Sequence, residues 1–160
     1  MCSSDLAFVT DKRLPDAAFF TCQQHAAQYF WKPEYQRHAN TAQSVVEVVM
    51  MANDPAGLAE FFGKLVEPEA VTRGEGTLTV TLRGGLLRVF DATRLDARFP
   101  GRRLRDVLRK PYFVGFSVKV ADLAAAEAVL RQNGVAFDRV GERLQVPLEQ
   151  AFGAVVEFTA

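Results

Sequence analysis

Residues 44–65 read SVVEVVMMANDPAGLAEFFGKL, and the spacing of the apolar residues changes halfway along. Val45, Val46, Val48, Val49, Met50 and Met51 form an almost unbroken apolar series that one acid, Glu47, interrupts. β-branched residues in such a run favour a strand, and one covered on both faces. Asp54 then stands where a helix N-cap belongs, with Pro55 at the first helical position. An Asp carboxylate there accepts from free backbone N–H groups, and Pro has none to leave unsatisfied. Leu58, Phe61, Phe62 and Leu65 follow at helical spacing and predict one apolar stripe.

A looser copy occupies residues 114–130. Phe116, Val118 and Val120 alternate, Asp122 takes the cap position, and Leu123, Ala126, Val129 and Leu130 continue on a helix that Asn133-Gly134 stops. Sliding one copy onto the other superposes Asp54 on Asp122 and Glu47 on Gly115. A strand–helix unit is used twice. Between the copies, residues 77–82 alternate strictly, Gly84-Gly85 supplies a hairpin turn and residues 86–90 return. After the second copy come three short strands, at 136–140, 143–146 and 154–158, separated by turns at Gly141-Glu142 and 147–153. The order is βαβββ from Tyr112 onward and βαβββ from Val45 to Phe90, with a weak second strand near Ala70-Val71. Upstream, residues 7–10 and 17–24 read as short strands and 26–31 as a short aromatic turn or helix. Arg102, Arg103, Arg105, Arg109 and Lys110 make the only basic run, which a connector helix with a solvated face explains.

A chain of 160 residues suffices for one sizeable core or two small modules sharing one. Its formal net charge of zero argues against a general polyanion binder, so nucleic acid is not an expected partner and a small molecule is. No apolar run approaches a membrane span, and the N-terminus lacks the apolar core of a signal peptide. Cys2 and Cys22 make neither a disulfide framework nor a metal knuckle. A reduced cytoplasmic chain with Cys22 as a buried thiol is the expectation.

The duplicated βαβββ order, together with FFTCQQH at 19–25, FWKPEYQRHAN at 30–40, VVEVVMMANDPAGLAEFF at 45–62 and GAVVEF at 153–158, resembles the vicinal oxygen chelate superfamily. That superfamily includes glyoxalase I, extradiol dioxygenases and bleomycin- and fosfomycin-resistance proteins; the closer resemblance is to its glyoxalase-like domain proteins. The resemblance implies an α+β fold, with paired βαβββ modules forming a curved mixed sheet and helices outside. It divides the chain into an N-terminal extension at 1–43, a first module with its connector at 44–111, and a second module at 112–160. It also reads the extension as the remnant of a preceding module, lost by truncation.

The same resemblance implies a divalent metal (Zn, Fe, Mn or Ni) in a trough between modules, held by His and Glu so that substrate oxygens can chelate it. Glu47 stands at the usual first-strand ligand position of the first module and Glu157 at the last-strand position of the second. His25 would be a third ligand or a base. Gly115 falls where the second module needs its first-strand ligand and has no side chain to offer, so the set is incomplete. Glu47 has a second reading, as an acid paired with Arg or Lys, because an unpaired acid in an apolar strand costs too much. Glu157 shares a face with Val155 and Thr159, which suits either a polar trough or solvent. His38, Gln24, Phe20 and Trp31 are candidate substrate contacts. The neighbouring aromatics, Phe19, Phe30 and Tyr35 included, either wall a pocket or seal the N-terminal segment to the sheet. The functions implied are a metal-dependent lyase, isomerase or dioxygenase with Glu47 and His25 catalytic, a metal-free small-molecule binder of the resistance type, or an incomplete domain that forms a homodimer.

Overall fold

The structure, a computed structural model, describes residues 4–101 and 110–160. The basic run at 102–109 and Cys2 lie outside the described residues. The first module runs β3 (Ala42–Met51), α1 (Ala59–Leu65), β4 (Val71–Gly74), β5 (Thr77–Leu82) and β6 (Gly85–Phe90). The second runs β7 (Tyr112–Val120), α3 (Leu123–Gln132), β8 (Asp138–Val140), β9 (Arg143–Val146) and β10 (Val155–Thr159). Together they build one eight-stranded sheet in the order β4-β5-β6-β3-β7-β10-β9-β8. The long strands β3 and β7 meet antiparallel at its centre, and each carries the last strand of its own module parallel beside it. This is the α+β, mixed curved sheet that the resemblance implies.

Local chemistry explains the helix starts. Asp122 Oδ1 accepts from Ala124 N at 2.8 Å and Ala125 N at 3.1 Å, capping α3, and Gly134 ends that helix at φ 65°. Asp54 Oδ1 accepts from Gly57 N at 3.0 Å, but the turn it caps is a 3-10 segment, Ala56–Leu58, and α1 begins only at Ala59. Residues 91–99, which the sequence pattern leaves unassigned, form a third helix, α2 (Ala92–Arg98).

Strand alternation sorts the side chains onto two faces. Val48, Met50, Leu87 and Val89 pack outward with Leu58 and Phe62 of the first helical segment. Val118, Val120, Leu144, Val146, Val156 and Phe158 pack outward with Ala126 and Leu130 of α3. Their intervening neighbours face the trough, where Val49, Met51, Phe90 and Val155 bury Leu95 and Phe99 of the α2 segment. The helices α1 and α3 therefore cover one side of the sheet, while α2 lies on the other.

β1 (Ser4–Val9) and β2 (Phe19–Gln24) pair antiparallel as a separate two-stranded sheet. Phe19 anchors it, with ring centroids 5.5 Å from both Phe61 and Phe62 and 5.6 Å from Phe113. Buried Leu14 joins the same core. Most other residues of this hairpin are exposed, and Cys22 with them, so the expectation of a buried thiol is corrected. Only the Val9–Phe19 end of the hairpin meets the core, so Cys22 lies on its uncovered part.

Gly115 pairs with Val155 in the parallel β7–β10 contact, and a Cβ at Gly115 would overlap the Val155 carbonyl oxygen. Its neighbour is backbone and cannot rotate away. Gly115→Ala is expected to cost about 1–3 kcal/mol, as overpacking in a core does. Gly84→Ala, in a turn with no atom within 4 Å of the added methyl, is the control. Urea unfolding should show a lower midpoint for the first variant only; equal midpoints would mean that the strands separate freely at this point.

Candidate functional site

Four cross-strand partners form a row over the trough: Glu47 on β3, Ser117 on β7, Glu157 on β10 and Gln145 on β9. All four are buried. Polar side chains facing an otherwise apolar floor must satisfy one another, and those around Glu157 do. Ser117 Oγ donates to Glu157 Oε2 at 2.6 Å, and Gln145 Nε2 donates to Oε1 at 2.8 Å. Arg98 donates Nη1 to Oε1 at 2.8 Å and Nη2 to Oε2, a two-pronged contact, while Arg143 Nη1 reaches Oε2 at 3.1 Å. Burial opposes ionisation of this carboxyl. The hydrogen bonds from Arg98, Ser117 and Gln145 and the Arg98 charge outweigh it and hold the pKa below the usual carboxylate range.

Arg98 arrives there through α2. Asp91 caps that helix by accepting from Arg94 N at 2.8 Å, and Leu95 and Phe99 sink into the trough core. The last helical residue is then Arg98, with its guanidinium carbon 4.7 Å from the centre of the Phe99 ring.

Glu47 is held differently. Its Oε1 lies 3.8 Å from Arg88 Nε, and its Oε2 lies 3.9 Å from Arg98 Nη2 and 3.8 Å from Arg143 Nη1. These are ion pairs without hydrogen bonds. Glu47 Oε1 and Arg88 Nε are both buried, and neither has a hydrogen-bond partner among the described residues. Arg88 and Arg143, at 42% and 37% side-chain exposure, form the open side of the cluster.

The two modules contribute unequal parts. In the parallel pairs, Glu47 opposite Leu86 corresponds to Gly115 opposite Val155, and Val49 opposite Arg88 corresponds to Ser117 opposite Glu157. Arg88 is therefore the first module's counterpart of Glu157.

No family model and no curated protein sequence matches this chain. Solved structures do. Methylmalonyl-CoA epimerase from Mycobacterium tuberculosis superposes with a TM-score of 0.54 at 14% identity, covering 81% of this chain and 96% of that one. Homoprotocatechuate 2,3-dioxygenase from Arthrobacter globiformis gives 0.52 at 16%, covering 76% and 37%. A hypothetical protein from Bacillus halodurans gives 0.50 at 7%, covering 72% and 91%. The fold is that of the vicinal oxygen chelate superfamily. At these identities the likeness is one of fold, so the trough must be read from its own side chains.

Those side chains do not fit the metal site that a vicinal oxygen chelate fold implies. Among the described residues no three of the His, Cys, Asp and Glu side chains come together to hold a metal ion. Of the four equivalent positions, Glu47 and Glu157 carry acids, Arg88 carries a cation, and Gly115 has no room for a side chain. Arg98 already occupies both Glu157 oxygens. Guanidinium groups around a carboxylate repel the dication the carboxylate would otherwise attract.

The structure brings Glu47 and Glu157 together and leaves the other sequence candidates outside the pair. His25 Nε2 meets Asp5 Oδ2 at 2.8 Å on the β1–β2 hairpin, and among the described residues it forms no ligand group with Glu47 and Glu157. Gln24 and Phe20 are exposed on β2, Trp31 is exposed just after it, and His38 is exposed in the turn before β3, where its carbonyl accepts from Thr41 N at 2.9 Å. The residues that complete the site, Arg88, Arg98, Ser117, Arg143 and Gln145, were not singled out from sequence. The signal available was an Asp cap at 91 with Leu95 and Phe99 one helical turn apart, which marks α2 and points to the arginine beside it.

Glu157 ties stability to pH. Its folded pKa is lowered, so its contribution is complete above the unfolded carboxyl value of about 4.3 and is lost as pH falls through the folded value. Glu157→Gln is expected to destabilise by about 3–5 kcal/mol at neutral pH, as breaking a buried pair does. The gap from wild type should narrow below about pH 4.3. Urea unfolding at neutral and acid pH checks this, and a gap of the same size at both would remove the Glu157 charge from the balance.

Proposed function

We propose that this chain binds a small organic molecule in the trough between its two modules, and that it does so without a divalent metal. One observation carries this reading: the two acids at the chelating positions are engaged by three arginines, Arg88, Arg98 and Arg143. Among the described residues, three guanidiniums against two carboxylates leave the trough with one positive charge in excess. A surplus of that sign attracts an organic anion. The similar structures support a small molecule as ligand, since the M. tuberculosis and A. globiformis proteins are named for methylmalonyl-CoA and homoprotocatechuate. The fold builds the trough, and the arginines set which charge enters it.

A second reading is an enzyme, a lyase or isomerase whose base is Glu47. A buried carboxylate oxygen without a hydrogen bond favours it, because such an oxygen has an unused lone pair with which to take a proton. His25, bound to Asp5 on the hairpin, has no part in that step.

The deciding measurement is metal content by mass spectrometry on protein purified without chelator, beside Glu47→Ala and Glu157→Ala. Sub-stoichiometric metal in all three samples is expected, with no rise in Tm when Zn, Mn, Ni or Fe is added. Stoichiometric metal in the wild type that both substitutions abolish would overturn the proposal and restore the chelate.

A further inference from the structure

We propose that the ligand of this trough is a monocarboxylic acid with a hydroxyl on the carbon next to its carboxylate. The inference rests on the metal-free binding reading above and adds the chemical class. It starts from two atoms, Glu47 Oε1 and Arg88 Nε, which are buried, face each other at 3.8 Å and lack hydrogen-bond partners. At that separation they do not bond each other. Leaving both unsatisfied costs more than a typical hydrogen bond returns, so the pair is set up for a third group.

That group must accept from the Arg88 N–H and donate to the Glu47 carboxylate. A carbonyl or carboxylate oxygen only accepts, and would turn its lone pairs on Glu47. An ammonium only donates, and would meet the Arg88 charge. A hydroxyl does both with one atom. Glu47 itself is 6% exposed, so the hydroxyl is the deep end of the ligand.

The charge count fixes its neighbour. Among the described residues one positive charge remains after Glu47 and Glu157 are balanced against the three arginines, and Arg88 and Arg143 present it at the open side. A monoanion beside the hydroxyl neutralises it, whereas a phosphate dianion exceeds it. A carboxylate on the adjacent carbon also sets its oxygen beside the hydroxyl, matching the parallel donors along a guanidinium edge.

The test is isothermal titration of metal-free protein with lactate against propionate and 2-hydroxybutyrate against butyrate. Arginine side-chain NMR signals are followed in the same titrations. In the wild type each hydroxy acid is expected to bind about tenfold to a hundredfold tighter than its partner lacking the hydroxyl. Glu47→Ala should abolish that preference, and Arg88→Met should weaken both members of a pair. The wild-type comparison stands even if a variant fails to fold. Equal affinity within both pairs, or no binding by any of the four acids, would overturn the hydroxy-acid inference and leave the trough open to another ligand. A hydroxy acid that binds only after Zn is added would instead overturn the metal-free reading while keeping the preference. Tight binding that leaves the Arg98 and Arg143 signals unmoved would place the acid outside the trough and overturn both.

Discussion

An ionised carboxylate sits where the sheet is most enclosed, and Glu157 can stay there only while its donors stay. Removing a carboxylate from water costs several kcal/mol, and a single ion pair does not reliably offset it. Here the cost is spread over Ser117 from β7, Gln145 from β9, Arg143 from β9 and Arg98 from α2. These donors come from three separate elements, so one side chain ties the second module's strands to the helix between the modules. α2 is short, with seven residues, and a helix of that length is not stable alone. Its position follows from Leu95 and Phe99 beneath it and the Arg98–Glu157 contact at its end.

The repeat makes two similar backbones, and the chain fills them with unlike side chains. Glu47 has Gly115 as its counterpart, and Glu157 has Arg88. A duplication that kept four acids or imidazoles would concentrate ligands for a dication. This one sets an arginine at 88 where the second module has Glu157, and across the modules Glu47 lies 3.8 Å from Arg143. The missing side chain at 115 is a packing requirement, because the β10 backbone passes where it would sit. The departure from a chelating set is thus written into the strand contact as well as the choice of residue.

Much of this fold was legible because both signals that define it are periodic. The apolar run at 45–51 and its copy at 116–120 declared the two central strands, while Asp54, Asp122 and Gly134 marked where the helical segments start and stop. Glu47 and Glu157 stood out for the same reason, as charges in apolar company. The arginines did not. An arginine in a strand or at a helix end reads as a solvated face, and only the tertiary arrangement turns Arg88, Arg98 and Arg143 inward. α2 was missed because two apolar residues one turn apart barely exceed chance. His25, Gln24, Phe20 and Trp31 were drawn from the N-terminal part of the resemblance, where β1 and β2 pair as a hairpin outside the main sheet.

Register explains why one acid is satisfied and the other is not. Glu157 and Ser117 are direct cross-strand partners, as are Glu157 and Gln145, so short side chains reach the carboxylate without strain. Glu47 lies opposite Leu86, and Arg88 is one same-face step further along β6, roughly 7 Å away along the strand. A long side chain must reach back over that distance, and its Nε stops 3.8 Å short of the oxygen. A lysine or arginine at 86 would have closed the pair and sealed the floor. With the cation displaced by one step, the acid keeps its charge balanced and its lone pair free. A buried charge held at that separation is stable enough to fold and still open to a further hydrogen bond.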